Sequence, residues 1–520
     1  MSRHPHLTAV AAVGLLVSGS AAALEPNTLT FALTPVTSTI VFHPPAPEPN
    51  PSRAAIDPNF SIGNGRKIAI GDFNGDGLKD MVIGPSYGRF KPKLTLQFWI
   101  NQGAGRFADA ADTVENGPVE IGATWPLIAD FNRDGRDDIF VVDYGLEDKL
   151  PTQGFDGGKN HILLSQPSGR LRDLSSTNLP DEPSANNHPS NMADLNGDGA
   201  MDVLLQRLGG LVVPGQGTAL KMNDGSGKFI ETIKGLPRQI AYLPRTEANT
   251  VPDRQAAGTV GACDLDGNGR NDLVTASYTN QSFARNVRMF EQSADGTFTE
   301  RFKTPLPQEI IDAAAQRTSL GVGAAGIVCA DLNGDRLGDV IVHWETDTNT
   351  TYIQFLKNAG GWRFEDVTLD WFGRWETHYA VRNTERGLAG VSAYDVNGDG
   401  TLDFVPKTWG AFEPTLLFTT PFAYLNDGTG KLTPLTYRGT NPSVTAAMLG
   451  SAIGCPGFCS LYPLLFDATG DGKTDLVLLD VWTYRSSDAP VREDRVLVHV
   501  LAGEHNVSGA AKSRPLFWKP

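Results

Sequence analysis

The sequence predicts an all-β fold, a seven-bladed β-propeller, on three observations. A nine-residue aspartate loop recurs seven times, a β-rich run follows each loop, and a turn followed by an aromatic or Leu recurs downstream of most of them. The loops are DFNGDGLKD from Asp72, DFNRDGRDD from Asp130, DLNGDGAMD from Asp194 and DLDGNGRND from Asp264. DLNGDRLGD from Asp331, DVNGDGTLD from Asp395 and DATGDGKTD from Asp467 complete the set. Their starts lie 58, 64, 70, 67, 64 and 72 residues apart, a regularity that excludes coincidence.

The residue types at those positions suit Ca²⁺. This hard cation takes six to eight oxygens, and a tight loop offers side-chain oxygens at positions 1, 3, 5 and 9 and a backbone carbonyl at position 7. The first loop would supply Asp72, Asn74, Asp76, the Leu78 carbonyl and Asp80, and the second Asp130, Asn132, Asp134, Arg136 and Asp138. The third would supply Asp194, Asn196, Asp198, Ala200 and Asp202, and the fourth Asp264, Asp266, Asn268, Arg270 and Asp272. Asp331, Asn333, Asp335, Leu337 and Asp339 follow in the fifth, and Asp395, Asn397, Asp399, Thr401 and Asp403 in the sixth. The seventh has Asp467, Thr469, Asp471, Lys473 and Asp475. Glycine at position 6 allows a left-handed turn. Arg336 stands there in the fifth loop and Thr469 replaces Asn or Asp at position 3 of the seventh, so both should bind more weakly. An EF-hand shares the first half of this pattern but needs a bidentate Glu at position 12 and flanking helices. Position 12 here is Ile83, Val141, Leu205, Thr275, Val342, Pro406 or Leu478, and runs such as MVIG and IFVVD follow, so the loops join strands.

The second signature reads NQGAGRF from Asn101, NDGSGKF from Asn223, SADGTF from Ser293, NAGGWRF from Asn358 and NDGTGKL from Asn426. Such turns close hairpins. Each unit then reads strand, aspartate loop, strand, strand, turn, strand: four short antiparallel strands, one blade. Loops and turns together resemble the FG-GAP/VCBS repeats, the group that includes the propeller of integrin α subunits, from about Ile62 to Leu501. Within that group the chain is most similar to bacterial secreted FG-GAP proteins, the stretch from Tyr144 through Leu163–Pro180 to the third loop looking like their second and third blades. The resemblance implies a Ca²⁺-binding propeller but no single activity, since adhesins, lectins and lyases share it.

Composition agrees. The formal net charge is −15, but three ligand-position aspartates in each of seven loops account for 21 of the 59 acidic residues. Up to seven bound Ca²⁺ would bring the protein close to neutrality, so the acidity reads as metal ligands rather than a steering field. No basic stripe points to nucleic acid. Arg3 and the short apolar run Leu7 to Ala23 read as a secretory signal (residues 1–23), with a membrane helix as the alternative reading. No later run is long and apolar enough to span a bilayer, and a secreted location is expected: periplasmic, cell-surface or extracellular. Residues 24–52 hold a β-rich segment, Thr28 to Phe42, and a proline linker; residues 53–520 hold the propeller. The segment either adds to the last blade and closes the ring or decorates it separately. Cys263 and Cys329 are a disulfide or two buried thiols, and Cys455 and Cys459 in CPGFC have the spacing of a small closed loop.

Function in such folds sits on loops. Three insertions stand out: Gly145 to His161; Gly235 to Gly258 with Arg238, Tyr242, Arg245 and Arg254; and DWFGRWETHYAVR with Trp371, Phe372, Trp375, His378 and Tyr379. The last is either a sugar-stacking platform or packing between blades. No HExxH, GxSxG or GxxxxGK[ST] motif is present, and His188, His343 and His378 are isolated, though Glu345 and Glu376 lie near the last two. The expected function is a Ca²⁺-dependent binding module for an extracellular glycan or protein, with a polysaccharide-active lyase or hydrolase on the same ring as the alternative.

Overall fold

A computed structural model of the chain describes residues 29–42, 68–84, 94–121, 123–145, 157–180, 182–183, 185–208, 215–248, 250–255, 258–277, 286–315, 322–346, 351–374, 376–377, 379–381, 384–386, 388–408, 414–454, 461–482 and 494–504. Seven antiparallel sheets of four strands, two of them with a short fifth strand and one completed by the N-terminal segment, form the blades of a β-propeller. Blade 1 runs Ile68–Gly71, Asp80–Ile83, Gln97–Asn101 and Phe107–Asp109, with an aspartate loop between the first two strands and a tight turn between the last two. Blade 2 repeats this order with Ala123–Ala129, Asp138–Gly145, His161–Ser165 and Leu171–Asp173. Second strands are near-continuous apolar runs because a neighbouring blade covers each face; all eight residues of Asp138–Gly145 are buried. Side chains from adjacent blades form the core between them: Phe131 and Phe140 of blade 2 meet Phe229 of blade 3 with ring centroids 5.6 and 5.2 Å apart.

The ring closes through the N-terminal segment. Val36–Phe42 pairs antiparallel with Asp494–Leu501, Val36 opposite Val500, and becomes the outer strand of blade 7 beside Leu461–Phe466 and Asp475–Trp482. Of the two sequence readings, closure is the one the pairing realises. Ile40 is buried among Trp99, Val477 and Val498, and Ser38 Oγ accepts the Phe107 N–H of blade 1 at 2.9 Å. The same strand therefore completes one blade and touches the next.

Cys263 and Cys329 form a disulfide, Cα–Cα 6.0 Å, between the first strands of blades 4 and 5. Cys455 and Cys459 lie outside the described residues, as do residues 1–28 with the secretory reading. Short helices, which the strand pattern did not announce, sit in connections on the ring: Ser175–Asn178 between blades 2 and 3, Pro414–Leu417 within blade 6. Ala446–Ala452 is another, its N-terminus capped by Thr445 Oγ1, which accepts the Met448 N–H. Among the described residues no helix is long and apolar enough to cross a membrane.

Candidate functional site: two faces of the ring

Up-and-down blades sort their connections. Each aspartate loop and each third-to-fourth turn emerge on one face; second-to-third connections and the passages to the next blade emerge on the other. The loop face is built by one rule. In all seven loops the position-1 aspartate accepts the position-6 N–H at 2.7 to 2.9 Å. Position 9 accepts the position-2 N–H at 2.8 to 3.0 Å. The other oxygen of that carboxylate takes an N–H from the end of the third strand or, in blade 7, just past it: Asn101, Ser165, Asn223, Gln292, Asn358, Asn426 or Gly503. The loop is thus tied into its blade before any ion is considered.

The position-9 aspartates are fully buried, and none of them pairs with a cation among the described residues. Burial pushes Asp80, Asp138, Asp202, Asp272 and Asp339 up to about 7 and Asp403 to about 8. In the fourth loop the carboxylates of Asp264, Asp266 and Asp272 converge within 4.8 Å. In the seventh, Thr469 takes position 3, and its N–H donates to Asp475 Oδ2 at 2.7 Å. Oxygen-only donors and buried carboxylates without a cationic partner fit a hard cation.

Backbone strain sits where the loop turns. Arg336 takes position 6 of the fifth loop at φ 70°, as its sequence foretold. Position 4 is left-handed as well: Gly75 is at φ 78° and Arg133 of the second loop at φ 60°, a requirement missed although glycine holds that position in six of seven loops. The Asn of the turn signature also does more than close a hairpin. Asn101, Asn223, Asn358 and Asn426 each donate Nδ2 to the position-2 carbonyl of the preceding blade's loop, at 2.9, 2.8, 2.7 and 2.6 Å. Gln292 does the same toward Leu195 at 2.7 Å. Asn101 reaches Ala468 of blade 7, so its amide helps to close the ring.

The opposite face follows no such rule. Trp371 and Phe372 are buried between blades 5 and 6, with Phe372 5.6 Å from Phe355 and 4.9 Å from Tyr424 between ring centroids. For these two the packing reading holds and the stacking platform does not. Trp375 and His378 lie outside the described residues, as do the side chains of Glu376, Tyr379, His188 and Arg245. Arg254 is also structural: its guanidinium donates to the Arg238 and Ala241 carbonyls at 2.6 and 2.9 Å. Arg238 is exposed and pairs with Glu247 at 2.7 Å. Tyr242 lies under the Arg207 guanidinium at 5.4 Å. His343 is fully buried inside blade 5, opposite Gly326 and Ile353, away from any surface where it could meet a substrate.

One cleft of about 620 Å³ does open on this face, beside the third strand of blade 2. Its lining includes Lys159, Asn160, His161, Asp173, Ser176 and Glu182. Glu182 is buried and held by Asn160 Nδ2 at 2.8 Å, by Arg207 at 3.3 Å and by Lys221; the last two also grip Glu231. No spacing in the sequence connects these groups, which come from three stretches of chain.

Comparison with known proteins bears on the loops. The FG-GAP-like repeat pattern matches residues 61–141 and 264–342. Integrin alpha pat-2 of Caenorhabditis briggsae is 29% identical over 229 residues, 41% of this chain but 18% of that much longer protein. Among solved structures, the V. cholerae biofilm matrix protein Bap1 aligns at 11% identity with a TM-score of 0.37, over 91% of each chain. A rhamnogalacturonan lyase of Bacillus licheniformis aligns at 13% identity with a TM-score of 0.35, over 83% of this chain and 71% of its own. Superpositions that loose carry no weight beside the seven sheets themselves. The loop, the turn and the matched repeats agree: the chain carries FG-GAP-like repeats over residues 61–141 and 264–342 and is similar to an integrin alpha subunit over 41% of its length.

Proposed function

We propose that this protein is a secreted Ca²⁺-binding propeller that serves as a binding module for an extracellular glycan or protein. One observation carries the reading: seven buried carboxylates without a cationic partner repeat around one face, while the irregular connections and the open cleft lie on the other. Ca²⁺ held by the loop oxygens would neutralise that buried charge and brace the loops, and its role is structural. The loops with Arg336 and Thr469 hold it more weakly, since one strains its turn and the other offers a hydroxyl for an amide or carboxylate. The ligand then engages the opposite face.

A polysaccharide-active enzyme is the second reading, and His161 beside Asp173 in the cleft, Nδ1 to Oδ2 3.3 Å, is the observation that favours it. A glycan array probed with and without Ca²⁺, followed by incubation with each hit, separates the two. Binding without turnover is the expected outcome. New reducing ends or unsaturated products would replace the binding module with the enzyme, and silence toward glycans and surface proteins alike would remove both.

A further inference from the structure

Blades 2 and 5 share a local frame on the face opposite the loops. Asp173 Oδ1 accepts the Ser175 N–H at 2.9 Å and the Ser175 hydroxyl, and Ser175 Oγ accepts the Ile162 N–H at 3.0 Å. At the corresponding places in blade 5, Asp366 Oδ1 accepts the Thr368 N–H at 3.1 Å and its hydroxyl at 2.7 Å, and Thr368 Oγ1 accepts the Phe355 N–H at 2.9 Å. Counting back from the strand ends Ser165 and Asn358, His161 corresponds to Gln354 and Lys159 to Tyr352. In both blades the second oxygen of the aspartate is engaged, by His161 at 3.3 Å and by Gln354 at 2.8 Å.

The two frames diverge in what fills them. Blade 5 is plugged: Tyr352 and Gln354 are each 1% exposed, and Phe372 packs where blade 2 has Leu179. Blade 2 is open: Lys159 is exposed, His161 is part-exposed, and the cleft lies over them. A shared scaffold accounts for the Asp–Ser hydrogen bonds. It does not account for a lysine and a histidine where the sister blade has a buried tyrosine and glutamine.

The chemistry of the open site is one-sided. Both carboxylates in the cleft are already committed, Glu182 to Asn160, Arg207 and Lys221, and Asp173 to His161 and Ser175. Among the described residues Lys159 has no ion-pair partner, the His161 contact uses Nδ1 and leaves Nε2, and the Ser176 hydroxyl is exposed. What remains uncommitted is an ammonium, an imidazole nitrogen and a hydroxyl. Such a set serves a ligand that presents a carboxylate together with several hydroxyl groups, in a cleft within the range of about 300–1,000 Å³ that small-ligand sites occupy.

We propose that the blade 2 cleft binds a carboxylated saccharide, a uronate unit of an acidic glycan, with Lys159 facing the carboxylate and His161 and Ser176 bonding to it or to neighbouring hydroxyls. This rests on the glycan-binding reading above and gives it a place and a ligand class. The buried pairs around Glu182 hold the floor of the cleft in place.

The test is calorimetry on the full mature chain with Ca²⁺ present. The probes are oligoglucuronate and oligogalacturonate, each beside its carboxyl-reduced counterpart, which keeps the hydroxyls and loses the charge. The uronates are expected to bind and the reduced forms to bind roughly ten- to a hundredfold more weakly, the range of a charge-assisted hydrogen bond. Lys159→Ala, at an exposed position, should weaken uronate binding by a similar factor with an unchanged melting temperature, and Lys159→Arg should restore most of it. His161→Gln copies the sister blade, so it keeps a donor for Asp173 while removing Nε2; a several-fold loss is expected. Equal affinity for charged and reduced probes would overturn the carboxylate specificity. Uronate binding unmoved by both Lys159→Ala and His161→Gln would overturn the site while leaving glycan binding intact. Binding of neutral glycans alone would overturn the ligand class, and no glycan binding at all would take the glycan reading down with it.

Discussion

The two faces of the ring obey different logic. On one, a nine-residue rule is repeated seven times, and departures from it stand out by position: Arg336 and Arg133 at left-handed backbone, Thr469 where the sisters have Asn or Asp. On the other, no rule runs round the ring: blades 2 and 5 share an Asp–Ser/Thr frame but fill it differently. The insertion that sequence alone suggested as a stacking platform has Trp371 and Phe372 in the interior, while the open cleft is made from residues with no motif at all. A repeat selected for stability can be read from spacing. A site assembled from the ends of strands cannot.

The largest effect expected from this contrast comes from removing metal. Seven sites, each worth about 2.7 kcal/mol at a hundredfold excess over Kd, would sum to on the order of 20 kcal/mol, above the ~5–15 kcal/mol net stability of an ordinary domain. Excess EGTA is therefore expected to lower the melting temperature by tens of degrees or to unfold the chain outright, because seven sets of crowded carboxylates lose their counter-charge. An unchanged melting curve in EGTA would abolish the distinction between the faces, since the loop face would then be held by hydrogen bonds alone.

Next in size is the strand that both faces share. Removing residues 24–42 takes away the outer strand of blade 7, the burial of Ile40 and the Ser38 contact to blade 1. It would leave the Asp494–Leu501 strand as a bare apolar edge, with Val496, Val498 and Val500 buried in the intact ring. The truncated chain is expected to aggregate or to lack a cooperative transition in calorimetry. A soluble truncation with a sharp transition would show that the two ends of the ring hold without it.

These two expectations mark how far the sequence could be read. The number of blades, the strand order and the turns follow from local patterns, period and glycine placement; for the N-terminal segment the pattern gave a strand but left closure and decoration open, and only its pairing with Asp494–Leu501 decides. The Asn amides that stitch blade to blade were hidden, because a turn residue looks the same whether or not it reaches a carbonyl some 90 residues away, as Asn358 reaches Leu265. The Cys263–Cys329 bridge stayed open for the same reason: only the packing of two first strands brings their Cα atoms to 6.0 Å. The Glu182 network joins blade 2 to blade 3 through Arg207 and Lys221, charges whose partners no spacing rule supplies.

A smaller effect should come from acid. His499 is 1% exposed in blade 7 and shares a 2.9 Å hydrogen bond with Thr37 Oγ1 of the closing strand. Burial lowers its pKa from 6.5 to about 4, so the folded state holds it neutral while the unfolded chain takes up a proton first. The stability it contributes is complete above 6.5 and is lost as pH falls through about 4, up to about 3 kcal/mol in all. Loop carboxylates also titrate on this path, so the comparison is between the protein and His499→Gln. Urea midpoints at pH 7.5 and 4.5 should converge toward the acid side, with the variant showing the shallower slope. Parallel slopes would mean that His499 has no part in the acid sensitivity of the seam.

The smallest effect discriminates within the loop face itself. Arg336 and Arg133 both hold left-handed backbone, at φ 70° and 60°, in loops where most sisters have glycine. Releasing such strain is worth about 1–2 kcal/mol, reduced by the extra freedom that glycine gives the unfolded chain. Arg336 makes no ion pair among the described residues, so Arg336→Gly should raise stability by about 1 kcal/mol and tighten Ca²⁺ at the fifth loop. Arg133 is different: its Nη2 lies 2.6 Å from Asp198 Oδ1 of the next loop, and its guanidinium packs over Gly225, where a Cβ would meet Cζ at 2.9 Å. An exposed pair is worth about 0–1 kcal/mol, enough to offset the strain. Arg133→Gly should therefore leave the urea midpoint nearly where it is. If both variants stabilised equally, the loops would be independent of one another. If only Arg336→Gly did so, the arginine in the second loop is kept as a link between neighbouring blades, and even an irregularity of the loop face serves the ring.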